Sequence, residues 1–325
     1  MSALYAPLCD ATPAEWQRAV ATIGSEIHVI DRNATRIWFS FFPLDLYLAI
    51  DAARAAGEDE PTTARRFGLM GKWRLVDQID ASHQFLYAHR YWPQVKSAIQ
   101  AFAETPPASL PAMFSAVADA AGRVARVDRE FLLGMSAVGL MTLRQVGLEA
   151  FAAAPGRIHL SDRARAMSPH QVLRQRARDD WQGLLGFTRG LKRRWTVTFD
   201  EADAEARFTV INDQDLAGGA RNDKREYRSR DPRCTPDEGP IPVECRAASC
   251  GTCWVGVLGG AEKLSPVVER DEAVRMKVFG YIDTADERPL IRLACQARAT
   301  GAVSVVIPPW NGMFGKELRK RQSQP

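Results

Sequence analysis

Cysteine is scarce in this sequence, with six in 325 residues, too few to staple a chain of this length into a disulfide scaffold. Long apolar runs are missing as well. The apolar run FLLGMSAVGLMTL at 131–143 falls short of the roughly 20 residues that cross a bilayer and reads as a buried helix. The N-terminus MSALYAPLCDATPAEW lacks a basic start followed by an apolar core and a small-residue cleavage site, so secretory export is not expected and a cytoplasmic location is the default reading. There is no internal repeat and no low-complexity stretch. With 46% hydrophobic and 25% charged residues, this excludes fibrous and disordered classes and leaves a globular chain of about two domains. A chain-wide excess of Lys and Arg is absent too. The net charge of +4 is concentrated between Arg157 and Arg194, where ten basic residues stand against three acidic ones. No nucleic-acid partner is expected from so local an excess. The segment reads either as a solvated helix face or as a docking surface for an acidic protein or an anionic membrane.

What is present divides by period. Thr12-Pro13-Ala14-Glu15 joins an N-cap, a proline at the first helical position and a glutamate three residues on, which predicts a helix start. Pro43 opens an apolar-periodic stretch running to Gly57, and further helices are predicted at about 93–104, 110–126 and 128–153. Ser168-Pro169-His170-Gln171 repeats the capping pattern. The helix it starts lines up Leu173, Ala177, Trp181, Leu184, Leu185 and Thr188 on one face, with Arg174, Arg178 and Arg189 on the other side. Near residue 194 the period drops to two. Trp195, Val197 and Phe199, then Phe208 and Val210, alternate with polar residues and predict a β-hairpin. Residues 212–242 read as a long loop, 254–258 and 302–307 as further strands, and Ser265 as the start of a helix to about Gly280. The expected division is an all-α domain over 1–192 and a second domain over 193–325.

Chemistry enters with the cysteines. Cys245, Cys250 and Cys253 are spaced C-x4-C-x2-C, and Cys295 follows after a further 41 residues. Iron in tetrahedral sulfur geometry needs four thiolates; three can come from one tight loop and the fourth from a distant segment, and plant-type [2Fe–2S] sites have this spacing. A structural zinc site usually pairs its ligands as two short hooks, and only one close pair exists here. Ala247, Ala248, Ser249, Gly251 and Thr252 are small. Small residues let backbone N–H groups approach sulfur, which stabilises the reduced cluster and raises its potential.

The runs PVECRAASCGTCWVGVLGG and LACQARATGAVSVVI resemble the plant-type [2Fe–2S] ferredoxin family, over about 195–315. The resemblance implies a β-grasp fold, a small mixed sheet wrapped around one helix. It also implies a [2Fe–2S] cluster held by Cys245, Cys250, Cys253 and Cys295, with Cys245 and Cys250 sharing one iron. One-electron transfer at low potential would follow. Two departures stand out: the Arg-rich RNDKREYRSRDPRC replaces a short helix and turn, and SPVVERDEAVRMKVFGYIDTADERP lengthens the gap before Cys295. The longer gap is closer to that of ferredoxin-like proteins that associate with larger enzymes, including the protective ferredoxin of nitrogen-fixing bacteria.

Other candidates carry less. Arg225-Glu226-Tyr227-Arg228-Ser229 is similar to a flavin-binding Arg-x-Tyr-Ser sequence with its serine one place late, and no G-x-G-x-x-G turn accompanies it. His83 and His89 are six residues apart, which does not share a helical face, so they read as packing or surface residues. Cys9 and Cys234 read as free thiols. The expectation is an all-α domain followed by a β-grasp [2Fe–2S] ferredoxin domain, an electron-transfer subunit or docked partner of a larger oxidoreductase such as a hydrogenase or dehydrogenase. The alternative is a protective or redox-sensing protein that binds an enzyme according to cluster state. No catalytic residue is assigned, and a peripheral position on a membrane complex fits the basic segment.

Overall fold

The computed structural model describes residues 1–102, 105–178, 193–267, 272–281 and 288–322. They form two compact units, Met1–Tyr47 with Arg74–Arg165, and Leu48–Trp73 with Ala166–Pro325. One boundary near 192 therefore does not divide the chain: a segment from the N-terminal part belongs to the second unit.

The first unit is helical. It holds α1 (Ser2–Asp10), α2 (Pro13–Ile23), α3 (Val29–Phe41) and the start of α4 (Leu44–Ala55), whose remainder belongs to the second unit. Thr12 and Glu15 cap α2 reciprocally, as the sequence predicts. The second unit takes α5 (Glu60–Phe67) and the short strand β1 (Met70–Gly71) before the chain returns to the first. There, two 3₁₀ turns (Leu75–Gln78 and Tyr87–Tyr91) lead into α6 (Trp92–Gln100), α7 (Leu110–Ala125), α8 (Arg129–Ala153) and α9 (Asp162–Ala166), the last ending at the division. Helix α8 is long and apolar enough to cross a membrane, but 72% of its most apolar window is buried in protein. It is the core helix. An apolar surface on all sides needs partners on all sides, and glycines admit them: a Cβ at Gly139 would stand 2.8 Å from Ile99 and 3.1 Å from Trp92 of α6.

His83 and His89 lie in this core, on irregular chain and a 3₁₀ turn, so helical spacing does not govern them. Asp31 accepts the N–H groups of Tyr87 and Ala88 at 2.6 and 2.7 Å and folds the turn back. The two Nδ1 atoms then meet at 2.9 Å with both rings buried, and the His83 ring packs tilted against Trp92. Asp80, which raises the His89 pKa slightly, is itself occupied by Trp92 and Gly156, while Lys96 donates to Phe151. Burial holds His83 well below the usual histidine range and brings His89 down to about 4. Unfolded histidine titrates near 6.5, so between these values the unfolded chain binds more protons. This stabilisation is full above about pH 6.5 and lost as pH falls towards 4, about 3 kcal/mol for His89 alone. Thermal unfolding of the first unit should therefore fall steeply over that window. A His89→Phe protein that keeps the same slope would refute the assignment.

In the second unit, α10 (Pro169–Arg178) starts with the predicted Ser168–Gln171 capping exchange, its two bonds 2.7 and 3.3 Å long. Trp181, Leu184, Leu185, Thr188 and Arg189 lie outside the described residues. Arg176 makes a bidentate pair with Glu201 at 2.6 and 2.8 Å, so one cation of the basic segment ties α10 to the domain beneath it. The predicted hairpin is present as β2 (Arg194–Thr198) and β3 (Arg207–Ile211). The long loop that follows contains β4 (Gln214–Asp215) and α11 (Leu216–Ala220). Then come β5 (Trp254–Gly259), α12 (Val274–Phe279), β6 (Ile291–Leu293), β7 (Arg298–Ala299), β8 (Val303–Val306), β9 (Trp310–Asn311) and α13 (Gly315–Gln322). The helix expected from Ser265 covers only α12 among the described residues. A mixed five-stranded sheet runs β3-β2-β8-β5-β6, with β2 and β8 parallel and the other pairs antiparallel. Arg225 donates to the Glu205 and Arg207 carbonyls at 2.6 and 3.0 Å. It thereby blunts the edge at β3, which gives this arginine a structural role in place of a flavin.

Candidate metal centre

The loop before β5 is built from turns. Arg246, Ala248 and Gly251 have φ of 54, 56 and 71°, left-handed steps that reverse the chain and point successive N–H groups inward. Ala247, Ser249 and Cys250 donate to the Cys245 Sγ at 3.4, 3.3 and 3.3 Å. Cys250 Sγ lies 3.1 Å from Thr252 Oγ1. Cys253 begins the strand side: its carbonyl accepts from Ala294 N at 2.8 Å, and the following pair, Trp254 opposite Leu293, aligns β5 with β6. That register places the Cys253 and Cys295 thiols in hydrogen-bond contact. Gln296 Nε2 donates to Cys295 Sγ at 3.5 Å.

The four sulfurs thus stand as two pairs. Cys245 and Cys250 are partly exposed, whereas Cys253 and Cys295 are 2% and 8% exposed. Burial would raise the Cys245 thiol, but hydrogen bonds from Ser249, Ala247 and Cys250 outweigh it and bring it down to about 6. In the inner pair the shared hydrogen bond, then burial, pushes Cys253 up, and the same bond lowers Cys295 to about 7. A thiol that gathers three N–H donors is prepared for a negative charge. Among the described residues, no three His, Cys, Asp or Glu side chains converge tightly enough for a single ion. Two pairs, each able to serve one iron, suit a two-iron cluster better than a mononuclear site.

Gly251 shows why the loop needs small residues. Its φ is +71° and a Cβ would run into the Phe279 ring. Gly251→Ala should destabilise the domain by roughly 1–3 kcal/mol through strain and overpacking and lower its iron content. Wild-type iron and melting temperature in that variant would contradict the packing argument.

Two partners behind the site have no sequence signal. Arg292 and Glu272, 1% and 0% exposed, form a bidentate pair at 2.9 and 2.9 Å. Glu272 also accepts Leu293 N at 2.8 Å, and Arg292 donates to Ser265 O at 2.8 Å, which pins the strand leading to Cys295. Cys9 and Cys234 stand apart from the two pairs. Burial raises Cys234 to about 11, and its thiol donates to the Pro240 carbonyl at 3.4 Å.

Paired thiols on a turn-rich loop and at the end of a facing strand are the kind of set that iron–sulfur chemistry uses. Residues 237–300 match the family model of the 2Fe-2S iron-sulfur cluster binding domain, and the cofactor of this part of the chain is a [2Fe–2S] cluster. The N-terminal region matches no family model. No curated protein and no solved structure matches the chain.

Proposed function

We propose that Cys245, Cys250, Cys253 and Cys295 hold the cluster in a β-grasp domain, and that the protein delivers single electrons as a subunit or docked partner of a larger oxidoreductase. The observation that carries the ligand assignment is the arrangement of the four sulfurs in two pairs, the outer one supplied with backbone N–H donors. The β-grasp reading is supported by a mixed sheet with β2 and β8 parallel at its centre and short helices beside it.

When bound, the cluster supplies a one-electron couple at low potential, on the order of −400 mV for plant-type centres. The protein's own groups set its conditions. N–H groups of Ala247, Ser249 and Cys250 offset negative charge at Cys245, which favours the reduced state. Cys253 and Cys295 anchor the inner side in apolar surroundings, and the partly exposed Cys245 and Cys250 lie on the side through which an electron has the shorter path to a partner. The partner reading draws on size, since a mobile carrier does not need so long an N-terminal extension. It also draws on the basic residues between Arg157 and Arg194, of which 179–192 lie outside the described residues. An acidic protein or an anionic membrane surface would suit them, and the cell interior suits four thiols kept reduced.

Anaerobically purified protein should contain two iron and two acid-labile sulfides per chain, and dithionite should produce a paramagnetic signal. Protein without iron after reconstitution would end this reading.

A further inference from the structure

The segment Leu48–Trp73 lies far upstream of the matched 237–300 region, yet it belongs to the same compact unit. We propose that it is a strap whose last strand, β1, positions the cluster loop through Asn311; the inference rests on the cysteine assignment proposed above.

The line of contacts is continuous. β1 pairs antiparallel with β9, Met70 opposite Asn311 and Gly71 opposite Trp310. On either side of this pairing, Met313 N donates to Phe67 O at 2.7 Å and Lys72 N to Pro309 O at 2.9 Å. The two paired positions and the two backbone hydrogen bonds that flank them fix where β9 lies. Asn311 is 1% exposed, and both ends of its amide are used. Its Oδ1 accepts from Arg233, and its Nδ2 donates to the Thr252 carbonyl at 2.9 Å. The partners fix the amide orientation, because a guanidinium can only donate and a carbonyl can only accept. Arg233 is held in turn by Asp231 at 2.9 and 2.6 Å and donates to Pro308 O at 2.6 Å.

The Thr252 carbonyl belongs to the peptide whose N–H is that of Cys253. Holding this carbonyl fixes the rotation of that peptide, and with it the direction in which Cys253 leaves the loop. Gly71 is the tight point of the strap: at φ +85° a Cβ would lie 2.6 Å from Pro309 O and 3.0 Å from the Arg233 side chain. A methyl group there displaces β9 or Arg233 and reaches the cluster loop without altering a charge or touching a cysteine. Asn311 and Gly71 are positioning residues.

The test uses the full-length, cluster-loaded protein. Iron transfer to a strong chelator such as bathophenanthroline is timed, and the reduced-state paramagnetic spectrum is recorded for each variant. Loss of partners outside the ligand shell commonly weakens metal binding by about 10–100-fold. Asn311→Ala and Gly71→Ala should therefore release iron about tenfold faster or more, with displaced g-values. Met70→Gln, at an exposed position on the same strand, should behave as wild type. Should Asn311→Ala fail to fold, Asn311→Asp keeps the acceptor for Arg233 and replaces the donor to Thr252 with a carboxylate oxygen that repels its carbonyl, and the same acceleration is expected. Wild-type release rates and spectra in both the Asn311 and Gly71 variants would overturn the inference, and an effect at Asn311 with none at Gly71 would remove the strap from it. Absence of iron from the wild-type protein would instead refute the cysteine assignment.

Discussion

Cys250→Ala protein, purified without oxygen, should lack both the visible absorption and the reduced-state paramagnetic signal of the wild type, whereas Cys9→Ala should keep both. Cys250 belongs to the outer sulfur pair and its N–H also supports Cys245. On the proposed ligand assignment, removing its thiolate leaves one iron short of a ligand, and Cys234 does not replace it, being buried, raised to about 11 and turned towards the Pro240 carbonyl. Cys9 is in the helical unit and serves as the control for simple loss of a thiol. A Cys250→Ala protein retaining the full iron and sulfide content and an unchanged spectrum would exclude this cysteine as a ligand.

The second large effect concerns the buried ion pair. Glu272→Gln should cost roughly 3–5 kcal/mol, because Arg292 is then left charged in a water-free interior. Burial of both partners is nearly complete, so solvent cannot compensate. Replacing both, as Glu272→Leu with Arg292→Met, removes the unpaired charge and should recover part of that loss. It will not recover all of it. Leu293 N loses its partner in the double variant, an orphaned polar group costing about 1–3 kcal/mol if it stays dry, whereas the part-buried Ser265 carbonyl can turn to water. Denaturant unfolding of the three proteins followed by circular dichroism measures this directly, and a double variant no more stable than the single one would refute the account.

Both predictions concern residues of the second unit, but they differ in how readable they are. The cluster loop is a local object: C-x4-C-x2-C with small residues between specifies tight turns, and left-handed φ at Arg246, Ala248 and Gly251 follows from that compression. The β2–β3 hairpin and the caps at Thr12 and Ser168 are local as well, set by side chains within a few positions of each other. Glu272 looks like any acid in the charged run ERDEAVR. Only the packing of β6 against the chain before α12 makes it a buried counter-ion. His83 and His89 lack helical spacing, and it is Asp31, more than fifty residues upstream, that folds their turn and brings the rings together. The two-residue strands β1, β4, β7 and β9 are too short to show any period, so pairing with a distant partner is their sole definition.

By itself the sequence determined the helical character of the first half and the class of cofactor, because each rests on periodicity or spacing along the chain. Only the tertiary structure decided where the units divide and that Leu48–Trp73 belongs with the iron–sulfur domain. Those outcomes depend on backbone hydrogen bonds and buried charges between segments up to two hundred residues and more apart. Such contacts form when the chain closes on itself and leave no pattern in the order of residues.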